Sequence, residues 1–556
     1  MNGLMMQSQL TIDRLLLRAR DLHASTELVS RMGDLGIHRY TYGDFYRRVL
    51  RLMNALRGLG VMPGDRVASF AWNSYRHMEL YFAVPAMGAV LHTINIKLAV
   101  DQLEYVVGHA DDRVVVVDRS LLPVIAAARA RLPSLQHLVV MDDRTAVPSA
   151  HTDHEVDELR DTLDYERLLA NATETEHFPV TSEEHAATLC YTSGTTGVLK
   201  GVLYSHRSIV LHALGLCMAD SLAISVTDAA LQIVPMFHVN GWGIPYAACL
   251  SGTKLVFPGQ HVTGAPVAEL LQAERITVAA GVPSVWYVLH RVLRSGTYDI
   301  SRLQRILIGG SAAPRALIET YARDFGVRTV HAWGMTEVSP IGTINRLKPY
   351  MAEWPADRQY AQLAKQGPPA GLVEMKLVDD DGGAVPHDGT SVGELLVRGA
   401  WIARGYYRDD VSAPVTADGW LRTGDVATVD EHGYMAIADR KKDLIKTRGE
   451  WLSSVAMENA AMGHEAILEA AVVGRPDDVR GEAVVIFVVL AAEPRVALEA
   501  SGVAAYLREH FQSWQVPKQQ DIHFVDALPK TSVGKFDKRA LRARLAAIPA
   551  PLPDEQ

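Results

Sequence analysis

Cysteine is scarce in this chain, and long apolar runs are missing. The three cysteines, Cys190, Cys217 and Cys249, lie in apolar sequence and show no CxxC spacing. This pattern argues against a disulfide framework or a zinc site, and it fits a reducing cytoplasm in which free cysteines are small core residues. Charged residues interrupt the apolar N-terminus, so we expect no signal peptide. No run reaches the ~18–20 apolar residues that a membrane span requires.

An excess of basic residues is also missing. The chain carries 55 lysines and arginines against 64 aspartates and glutamates, which gives a net charge of −9. Because a nucleic-acid backbone requires a basic face, this balance argues against nucleic acid as the main partner. The length of 556 residues and the apolar fraction of 48% instead predict a globular protein with two or more domains.

Strand and helix patterns alternate over much of the chain. A helical pattern at 43–60 leads into a short strand at 66–70, and apolar runs at 114–117 and 138–141 are typical of buried parallel strands. The same alternation recurs at 228–345. This order predicts βαβ units and parallel sheets.

Three other stretches depart from this alternation. Residues 143–185 are polar and poor in pattern, and we interpret them as a surface excursion between two subdomains. Residues 372–440 contain short apolar stretches between tight turns, which predicts antiparallel strands. After Arg440 a smaller α+β pattern follows and ends in a predicted helix at 537–546.

Residues 191–201 predict a phosphate-binding loop. Four hydroxyl side chains and two glycines follow an apolar strand, and Lys200 comes three residues after the second glycine. Glycines permit positive φ, so several backbone N–H groups can point at one anion. No GK[ST] sequence follows, so this is not a Walker loop. Taken alone, such a run is a flexible loop about as often as a binding site.

Three further segments carry candidate chemistry. In 331–337, Trp333 offers a face for adenine and Glu337 a carboxylate for Mg²⁺, although a core tryptophan and a helix-start acid are the alternative. Asp425 ends a predicted strand and is suited to accept two ribose hydroxyls. Lys535 follows a glycine-containing turn near the C-terminus, where a solvated lysine is the alternative.

These four segments, in this order, resemble those of the adenylate-forming superfamily of acyl-CoA synthetases, luciferases and peptide-synthetase adenylation domains. Further matching segments lie at 234–242, 281–286, 309–314 and 439–446, and the resemblance covers about residues 10–546. Within the superfamily the chain is similar to bacterial medium- and long-chain fatty acyl-CoA synthetases and to methylmercaptopropionate-CoA ligases. Leu199 departs from the usual proline and Trp333 from a common tyrosine.

The resemblance implies an α/β fold with a large N-terminal domain, made of two βαβ subdomains and a small distorted β-barrel, and a small mobile α+β C-terminal domain. The expected boundaries are 1–440 for the AMP-binding domain, 441–548 for the mobile domain and 549–556 for a disordered tail. It also implies an enzyme that uses ATP, Mg²⁺ and coenzyme A, by way of an acyl-adenylate. We expect a cytoplasmic protein with small-molecule partners only, and a homodimer is an open alternative to a monomer.

The resemblance assigns roles to individual residues. The implied catalytic residues are Thr192, Lys200, Thr336, Glu337 and Lys535, with Thr192 and Glu337 as metal ligands. The residues implied in ATP and AMP binding are Thr192, Ser193, Gly194, Thr195, Thr196, Gly197, Lys200, Gly309, Gly310, Ser311, Ala332, Trp333, Gly334, Met335, Thr336, Asp425, Arg440, Lys446 and Lys535.

The acyl pocket and the mobile elements follow from the same resemblance. The implied pocket residues are Phe237, His238, Val239, Asn240, Gly241, Trp242, Val285 and Trp286. Lys442 is the implied hinge, and the implied coenzyme A channel consists of Arg448, Gly449, Glu450 and Trp451.

The identity of the acid is the most open question. Amino-acid-activating relatives carry an aspartate where this chain has His238, so an amino-acid substrate is disfavoured. Trp242 matches the tryptophan that gates the fatty-acid tunnel in long-chain synthetases, which implies a medium- to long-chain fatty acid. A short thioether or aryl-alkanoic acid is the alternative, as is an acyl-AMP ligase that delivers to a carrier protein.

Overall fold

The computed structural model describes residues 1, 3–33, 36–143, 162–179, 181–193, 198–409, 414–448, 450–477, 480–491, 498–531 and 535–546. Two large sheets, a small antiparallel sheet and a C-terminal sheet organise these residues. No helix among them is long and apolar enough to cross a membrane.

The first large sheet has eight strands. In spatial order they are Ile341–Ile344, Arg328–Gly334, Arg305–Ile308, Val278–Gly281, Ala229–Leu231, Lys254–Phe257, Glu27–Met32 and Gly36–Thr41. The six inner strands pair in parallel, and both edge strands are antiparallel.

The second large sheet has seven strands. In spatial order they are Thr162–Asp164, His137–Met141, Asp112–Asp118, Arg66–Phe70, Val90–Thr93, Ala186–Ser193 and Leu199–Ser205. Only the last pair is antiparallel. The residues between these two strands in the sequence belong to the predicted phosphate loop.

Two smaller sheets complete the fold. The small distorted barrel that we expected takes the form of an antiparallel sheet of four strands: Val373–Val378, Gly393–Gly399, Leu421–Val429 and Met435–Arg440. The C-terminal sheet contains Glu450–Leu452, Ile445–Thr447, Gly481–Leu490, Ile467–Asp477 and Ile522–Phe524.

The α-helices described are Ile12–His23, Tyr42–Gly58, Tyr75–Ala86, Val100–Ala110, Leu122–Arg129, Tyr165–Ala170, His206–Cys217, Ile244–Ser251, Ala265–Ala273, Pro283–Leu293, Arg315–Phe325, Ala356–Leu363, Ser454–Ala461, Ala500–Arg508 and Lys538–Ala546. Short 3₁₀ segments span Arg119–Leu121, Val239–Gly243, Thr336–Val338, Pro349–Glu353 and Gln519–Asp521.

The helix Tyr42–Gly58 shows why these residues fold locally. Thr41 Oγ1 accepts a hydrogen bond from the Asp44 backbone N–H, and the Asp44 carboxylate accepts one from the Thr41 N–H. This reciprocal cap satisfies donors that the first helical turn leaves open. Phe45, Val49 and Met53 recur at helical spacing and are fully buried, so one face of the helix packs in the core, mainly against neighbouring helices.

The predicted α/β fold class is confirmed, but one stretch differs from its prediction. Within 143–185, interpreted as a surface excursion, Thr162–Asp164 extends the second sheet and Tyr165–Ala170 is helical. Tyr165 and Leu169 are buried, and Glu166 forms ion pairs with Arg48 and Arg76. Two apolar residues in acidic sequence are too weak a pattern to reveal a helix that is held by ion pairs.

Candidate active site

The predicted site residues cluster where strands of the first sheet end. Gly309 and Gly310 follow the strand Arg305–Ile308, and Thr336 and Glu337 follow Arg328–Gly334. Carboxyl ends of parallel strands meet at one edge of a sheet, which is where ligands bind in open α/β folds. The strand Ala186–Ser193 of the second sheet contacts the turn Thr336–Val338, so the base of the phosphate loop meets the same edge.

Asp425 is held from two sides. Arg440 Nε lies 2.5 Å from Asp425 Oδ1, and Trp333 Nε1 donates to Asp425 Oδ2 at 2.7 Å. Asp425 and Arg440 face each other across neighbouring strands. Trp333 was expected to present a face to adenine, and here its indole N–H also orients the carboxylate that we predicted to bind the ribose.

Lys535 reaches this edge from the C-terminal domain. Thr531 N donates to Lys535 O at 2.7 Å and Lys535 N to Thr531 Oγ1 at 3.2 Å, so two hydrogen bonds join these two residues. A methyl group built on Gly310 would lie 4.0 Å from Lys535 Cε. Burial, with a smaller contribution from the Arg440 guanidinium, lowers the pKa of Lys535 to about 8, although the charges of Asp425 and Glu337 act in the opposite direction.

Glu337 is buried and lies beside a tyrosine. Tyr406 Oη donates to Glu337 Oε1 at 2.8 Å, and Tyr204 Oη donates to the Thr336 carbonyl at 2.6 Å. Within the described residues Glu337 Oε2 makes no side-chain hydrogen bond. A free carboxylate oxygen with the hydroxyl of Thr192 is a hard-oxygen donor set, so the residues present fit Mg²⁺.

Lys200 lies over the same tyrosine. Its Nζ is 4.7 Å from the centroid of the Tyr406 ring and 3.7 Å from Asp409 Oδ2. The strand Leu199–Ser205 carries this lysine directly after the predicted phosphate loop. Lys200 and Glu337 thus contact the same tyrosine, one through its ring and the other through its hydroxyl.

The predicted acyl pocket contains an unusual turn. Val239, Asn240, Gly241, Trp242 and Gly243 all have positive φ, from 41° to 73°. Non-glycine residues adopt this conformation only when the surroundings hold them there. Three of the five residues are not glycine, so the fold imposes the turn.

A buried polar cluster holds this turn through Asn240. The Asn240 amide donates to Thr188 Oγ1, and Cys190 Sγ donates to Asn240 Oδ1 at 2.8 Å. Thr93 Oγ1 lies 3.1 Å from the same sulfur. Cys190 thus serves as a buried hydrogen-bonding group.

Trp242 packs on the glycines of the nucleotide side. Methyl groups built on Gly309 and Gly310 would lie 3.1 Å and 3.7 Å from its ring. His238 precedes the turn, and burial lowers its pKa to about 3 while Lys535 contributes in the same direction. His238 is therefore a neutral imidazole near Lys535.

The remaining pocket residues separate into two groups. Phe237 and Val239 are buried, and Val285 is partly buried. Trp286 differs from its prediction, because its ring is fully buried in the core against Tyr321 and its Nε1 donates to the Gly281 carbonyl at 3.2 Å. The prediction placed it in the pocket from its position in a matching segment, which does not reveal the direction of a helical side chain.

The other nucleotide-side residues vary in exposure. Ala332 and Thr336 are buried, Gly334 and Met335 are partly buried, and Ser311 is exposed. Gly194, Thr195, Thr196, Gly197, Gly449, the side chain of Ser193 and the predicted tail 549–556 lie outside the described residues.

The predicted coenzyme A channel lies at the paired strands Ile445–Thr447 and Glu450–Leu452, and the predicted hinge precedes them along the chain. Lys442, Lys446, Arg448 and Glu450 are exposed, and Trp451 is 57% exposed. Lys446 Nζ lies 5.3 Å from the Trp451 ring centroid. The structure therefore places Lys535 at the site, whereas the predicted channel side chains Arg448, Glu450 and Trp451 are exposed.

Contacts across the predicted hinge fix this arrangement. The Asp439 carboxylate accepts hydrogen bonds from the Ser454 backbone N–H at 2.7 Å and from the Ser454 hydroxyl. Lys538 donates to the same hydroxyl and pairs with Glu458 at 2.8 Å. Asp439 belongs to the last strand of the four-stranded sheet, whereas the other three belong to the C-terminal region.

Sequence reasoning missed Tyr406, Asp409 and Asp439. Tyr406 follows a glycine and precedes another tyrosine, a pattern with no chemical signature of its own. Its role depends on contacts with residues 69 and more than 200 positions away. Asp439 lies in a segment that matched the superfamily, and only Arg440, Lys442 and Lys446 were assigned roles there.

Comparison with known proteins identifies one family for this chain. The model of the AMP-binding enzyme family matches residues 19–407, and that of the AMP-binding enzyme C-terminal domain matches residues 456–535. A long-chain-fatty-acid–CoA ligase of Thermus thermophilus is 42% identical over 97% of this chain and 96% of its own length. A medium-chain-fatty-acid–CoA ligase of Ectopseudomonas oleovorans is 39% identical over 99% and 98%.

Two further comparisons extend this similarity. A 3-methylmercaptopropionyl-CoA ligase of Ruegeria lacuscaerulensis is 40% identical over 98% of both chains. The crystal structure of the anthranilate CoA ligase AuaEII in complex with anthranoyl-AMP superposes with a TM-score of 0.83 at 26% identity, covering 98% of this chain and 99% of that one.

Proposed function

The chain belongs to the AMP-binding enzyme family and is an AMP-forming acid–thiol ligase, and we propose that the acid it activates is a medium- to long-chain fatty acid. In the first half-reaction the carboxylate attacks the α-phosphorus of ATP and pyrophosphate leaves. In the second, the thiol of coenzyme A attacks the acyl carbon of the adenylate and AMP leaves.

The first half-reaction needs positive charge near two anions. A carboxylate that approaches the α-phosphate meets like charge, so electrostatic stabilisation is the main requirement. We assign this role to Lys535, whose Cε lies close to Gly310 at the sheet edge. Bound Mg²⁺ would neutralise phosphate charge, with Glu337 and Thr192 as its protein ligands. Asp425 and Arg440 would hold the ribose.

The second half-reaction has different needs. The adenylate is already activated, so a lysine at the phosphate is no longer required. The domain that contains Lys535 also contains the exposed hairpin 445–452. We propose that this domain rotates about Lys442, which withdraws Lys535 and brings the hairpin to line the coenzyme A channel.

The packing of Trp242 carries the assignment of a fatty acid. Its indole lies on Gly309 and Gly310 on the predicted nucleotide side, and Val239, a residue of the predicted acyl pocket, is buried in the same apolar cluster. An aromatic ring that packs on two glycines can move away easily, because neither glycine has a Cβ that interlocks with the ring. A tryptophan that swings from this position would open the pocket to a longer chain. Two relatives, at 42% and 39% identity, are named as fatty-acid–CoA ligases.

The same observation supports a second candidate substrate. If Trp242 stays on the glycines, we expect its ring to limit the predicted acyl pocket to a short acid. A relative at 40% identity is named for 3-methylmercaptopropionate. A short thioether acid, or an aryl-alkanoic acid of similar length, is therefore the competing substrate.

A panel of acids tests these assignments. Protein, ATP and Mg²⁺ are incubated with acids from acetate to palmitate, 3-methylmercaptopropionate and phenylpropionate, with and without coenzyme A. We expect AMP and thioester only when coenzyme A is present, with the highest kcat/KM for a medium or long chain. Activity confined to acetate or to amino acids would contradict the proposal, and an adenylate that coenzyme A does not discharge would favour the carrier-protein alternative.

The variant Trp242→Ala separates the two candidate substrates. Without the ring, we expect kcat/KM for long chains to rise or stay constant, while kcat/KM for a short acid falls because its chamber loses a wall. Val285→Ala is the matched control, since it trims a pocket residue that does not lie on the glycines. If the Trp242 ring is instead fixed in place, the wild type should exclude long chains and only Trp242→Ala should accept them.

We also propose a cytoplasmic location for this enzyme. A cytoplasmic enzyme suits the three free cysteines, because a reducing compartment keeps thiols unpaired. Sedimentation of the purified protein at several concentrations tests whether the protein forms a homodimer or stays a monomer.

A further inference from the structure

Tyr406 contacts two charged groups of the predicted site. Its hydroxyl donates to Glu337 Oε1 at 2.8 Å, and its ring lies 4.7 Å from the Nζ of Lys200. Because a phenol O–H donates and a carboxylate oxygen accepts, Tyr406 is the donor of this hydrogen bond.

The turn that carries Tyr406 is fixed to the site. Tyr407 N donates to the Gly201 carbonyl at 2.8 Å, and Arg408 Nη1 donates to the His109 carbonyl at 2.8 Å. Arg408 has φ +54°, a left-handed value that closes the turn. Tyr406 is thus attached to the strand that follows the phosphate loop, so its hydroxyl is in place before any ligand binds.

The hydrogen bond makes the two oxygens of Glu337 unequal. Oε1 shares its electron density with the Tyr406 hydroxyl, whereas Oε2 has no hydrogen-bonding partner among the described residues. A carboxylate arranged in this way binds a cation best through one oxygen. Mg²⁺ demands a near-ideal octahedral geometry, which suits one oxygen from each carboxylate, whereas Ca²⁺ binds carboxylates through one oxygen or through both.

We propose that Tyr406 is a positioning residue that keeps Glu337 a one-oxygen ligand and thereby favours Mg²⁺ over Ca²⁺ in the complex with ATP. The inference rests on the proposed role of Glu337 at the metal. Partners that orient a metal ligand commonly contribute 10–100-fold to metal affinity, so one hydroxyl is sufficient for a measurable preference.

The experiment compares Tyr406→Phe with Tyr407→Phe as its matched control. Both variants remove one phenolic oxygen from the same turn, and only the first removes the hydrogen bond to Glu337. Calorimetry measures the affinity for a non-hydrolysable ATP analogue in Mg²⁺ and, separately, in Ca²⁺. Thermal unfolding of each variant verifies the fold.

We expect Tyr406→Phe to bind the analogue about tenfold more weakly in Mg²⁺, with little loss or a gain in Ca²⁺. The ratio of the two affinities should therefore fall by about tenfold or more, while Tyr407→Phe keeps the wild-type ratio. A merely structural tyrosine would weaken binding equally in both metals. An unchanged ratio in Tyr406→Phe would overturn the proposal.

A second variant separates this inference from the proposed function. In a Glu337→Gln background, Tyr406→Phe should no longer change the metal ratio, because the two residues act through one hydrogen bond. If the same change in ratio persists without the carboxylate, Tyr406 does not act through Glu337 and the inference fails. If the wild type binds no ATP analogue in either metal, the proposed function fails first.

Discussion

Two loops of the C-terminal domain differ sharply in their surroundings. Lys535 lies near Gly310 at the sheet edge, where the charges of Arg440, Asp425 and Glu337 act on it. The paired strands Ile445–Thr447 and Glu450–Leu452 instead expose part of their side chains, with Trp451 57% exposed. Both segments follow the predicted hinge, Lys442, along the chain. A domain that brings one loop to the site keeps the other away, so we infer that each loop serves one half-reaction.

Removal of the Lys535 charge should have the largest effect. We expect Lys535→Ala to slow adenylate formation by about 10²–10³-fold, the scale of losing one preorganised electrostatic group. Conversion of a supplied acyl-adenylate to thioester should be nearly unchanged. Pyrophosphate release and thioester formation are measured separately.

Lys530→Ala is the control for this variant, because Lys530 lies in the same loop and pairs with Glu469 instead. It should leave both half-reactions at the wild-type rate. Equal slowing of both half-reactions by Lys535→Ala in a folded protein would remove the distinction between the two loops.

A proline at the hinge should have the reverse effect. Lys442 is exposed, so Lys442→Pro removes little contact, but the ring fixes φ at one value. We expect adenylation to be spared and the thioester step to fall by about 10²-fold, the scale at which misplaced groups lose reactivity. Lys442→Ala, which keeps φ free, should be close to wild type in both steps. A normal thioester rate in the proline variant would place the hinge elsewhere.

Weaker docking of the domain should have a smaller effect. The Asp439 carboxylate accepts two hydrogen bonds from Ser454 across the hinge, and hydrogen bonds to a charged group contribute about 1.5–3 kcal/mol. Asp439→Asn should therefore lower adenylation by about tenfold and leave the thioester step equal or faster. Ser454→Ala, which keeps the backbone donor, should show the same direction at lower amplitude. A loss confined to the thioester step would contradict this assignment.

The smallest expected effect is a pH dependence of the first half-reaction. Lys535 carries its charge below its pKa of about 8, so kcat/KM for adenylation should be level at pH 7. It should fall about twofold at pH 8 and about tenfold per unit above that. The thioester step should lack this limb. Lys535→Arg stays charged, so adenylation by this variant should not fall above pH 8. If adenylation by the arginine variant still falls above pH 8, another group causes the fall.

The sequence alone predicted the repeated βαβ order and most of the site, for identifiable reasons. The largely apolar runs 114–117 and 305–308 predict buried strands, because a buried parallel strand is apolar on both faces. Lys535, Glu337 and Asp425 stand in segments whose order resembles a known family. Family and fold class were confirmed in this way, while the individual roles remain predictions.

Other features depend on packing that a linear pattern does not carry. Tyr406 gains its role from Glu337 and Lys200, and Trp333 donates to Asp425 across two sheets. The left-handed turn at 239–243 requires Asn240 to reach Thr188 and Cys190, some 50 positions away. Propensity would not place three non-glycine residues there, so only the surrounding structure explains them.

A distance measured between the two domains tests the central claim most directly. Spin labels are attached at Glu353→Cys and Arg508→Cys, both exposed, after Cys217, which is only partly buried, is replaced by serine. Pulsed electron resonance is recorded with an ATP analogue, and again with a stable acyl-adenylate analogue and coenzyme A. We predict the distance of the present structure in the first sample and a second, distinct distance in the other. One unchanged distance in both samples would contradict the account.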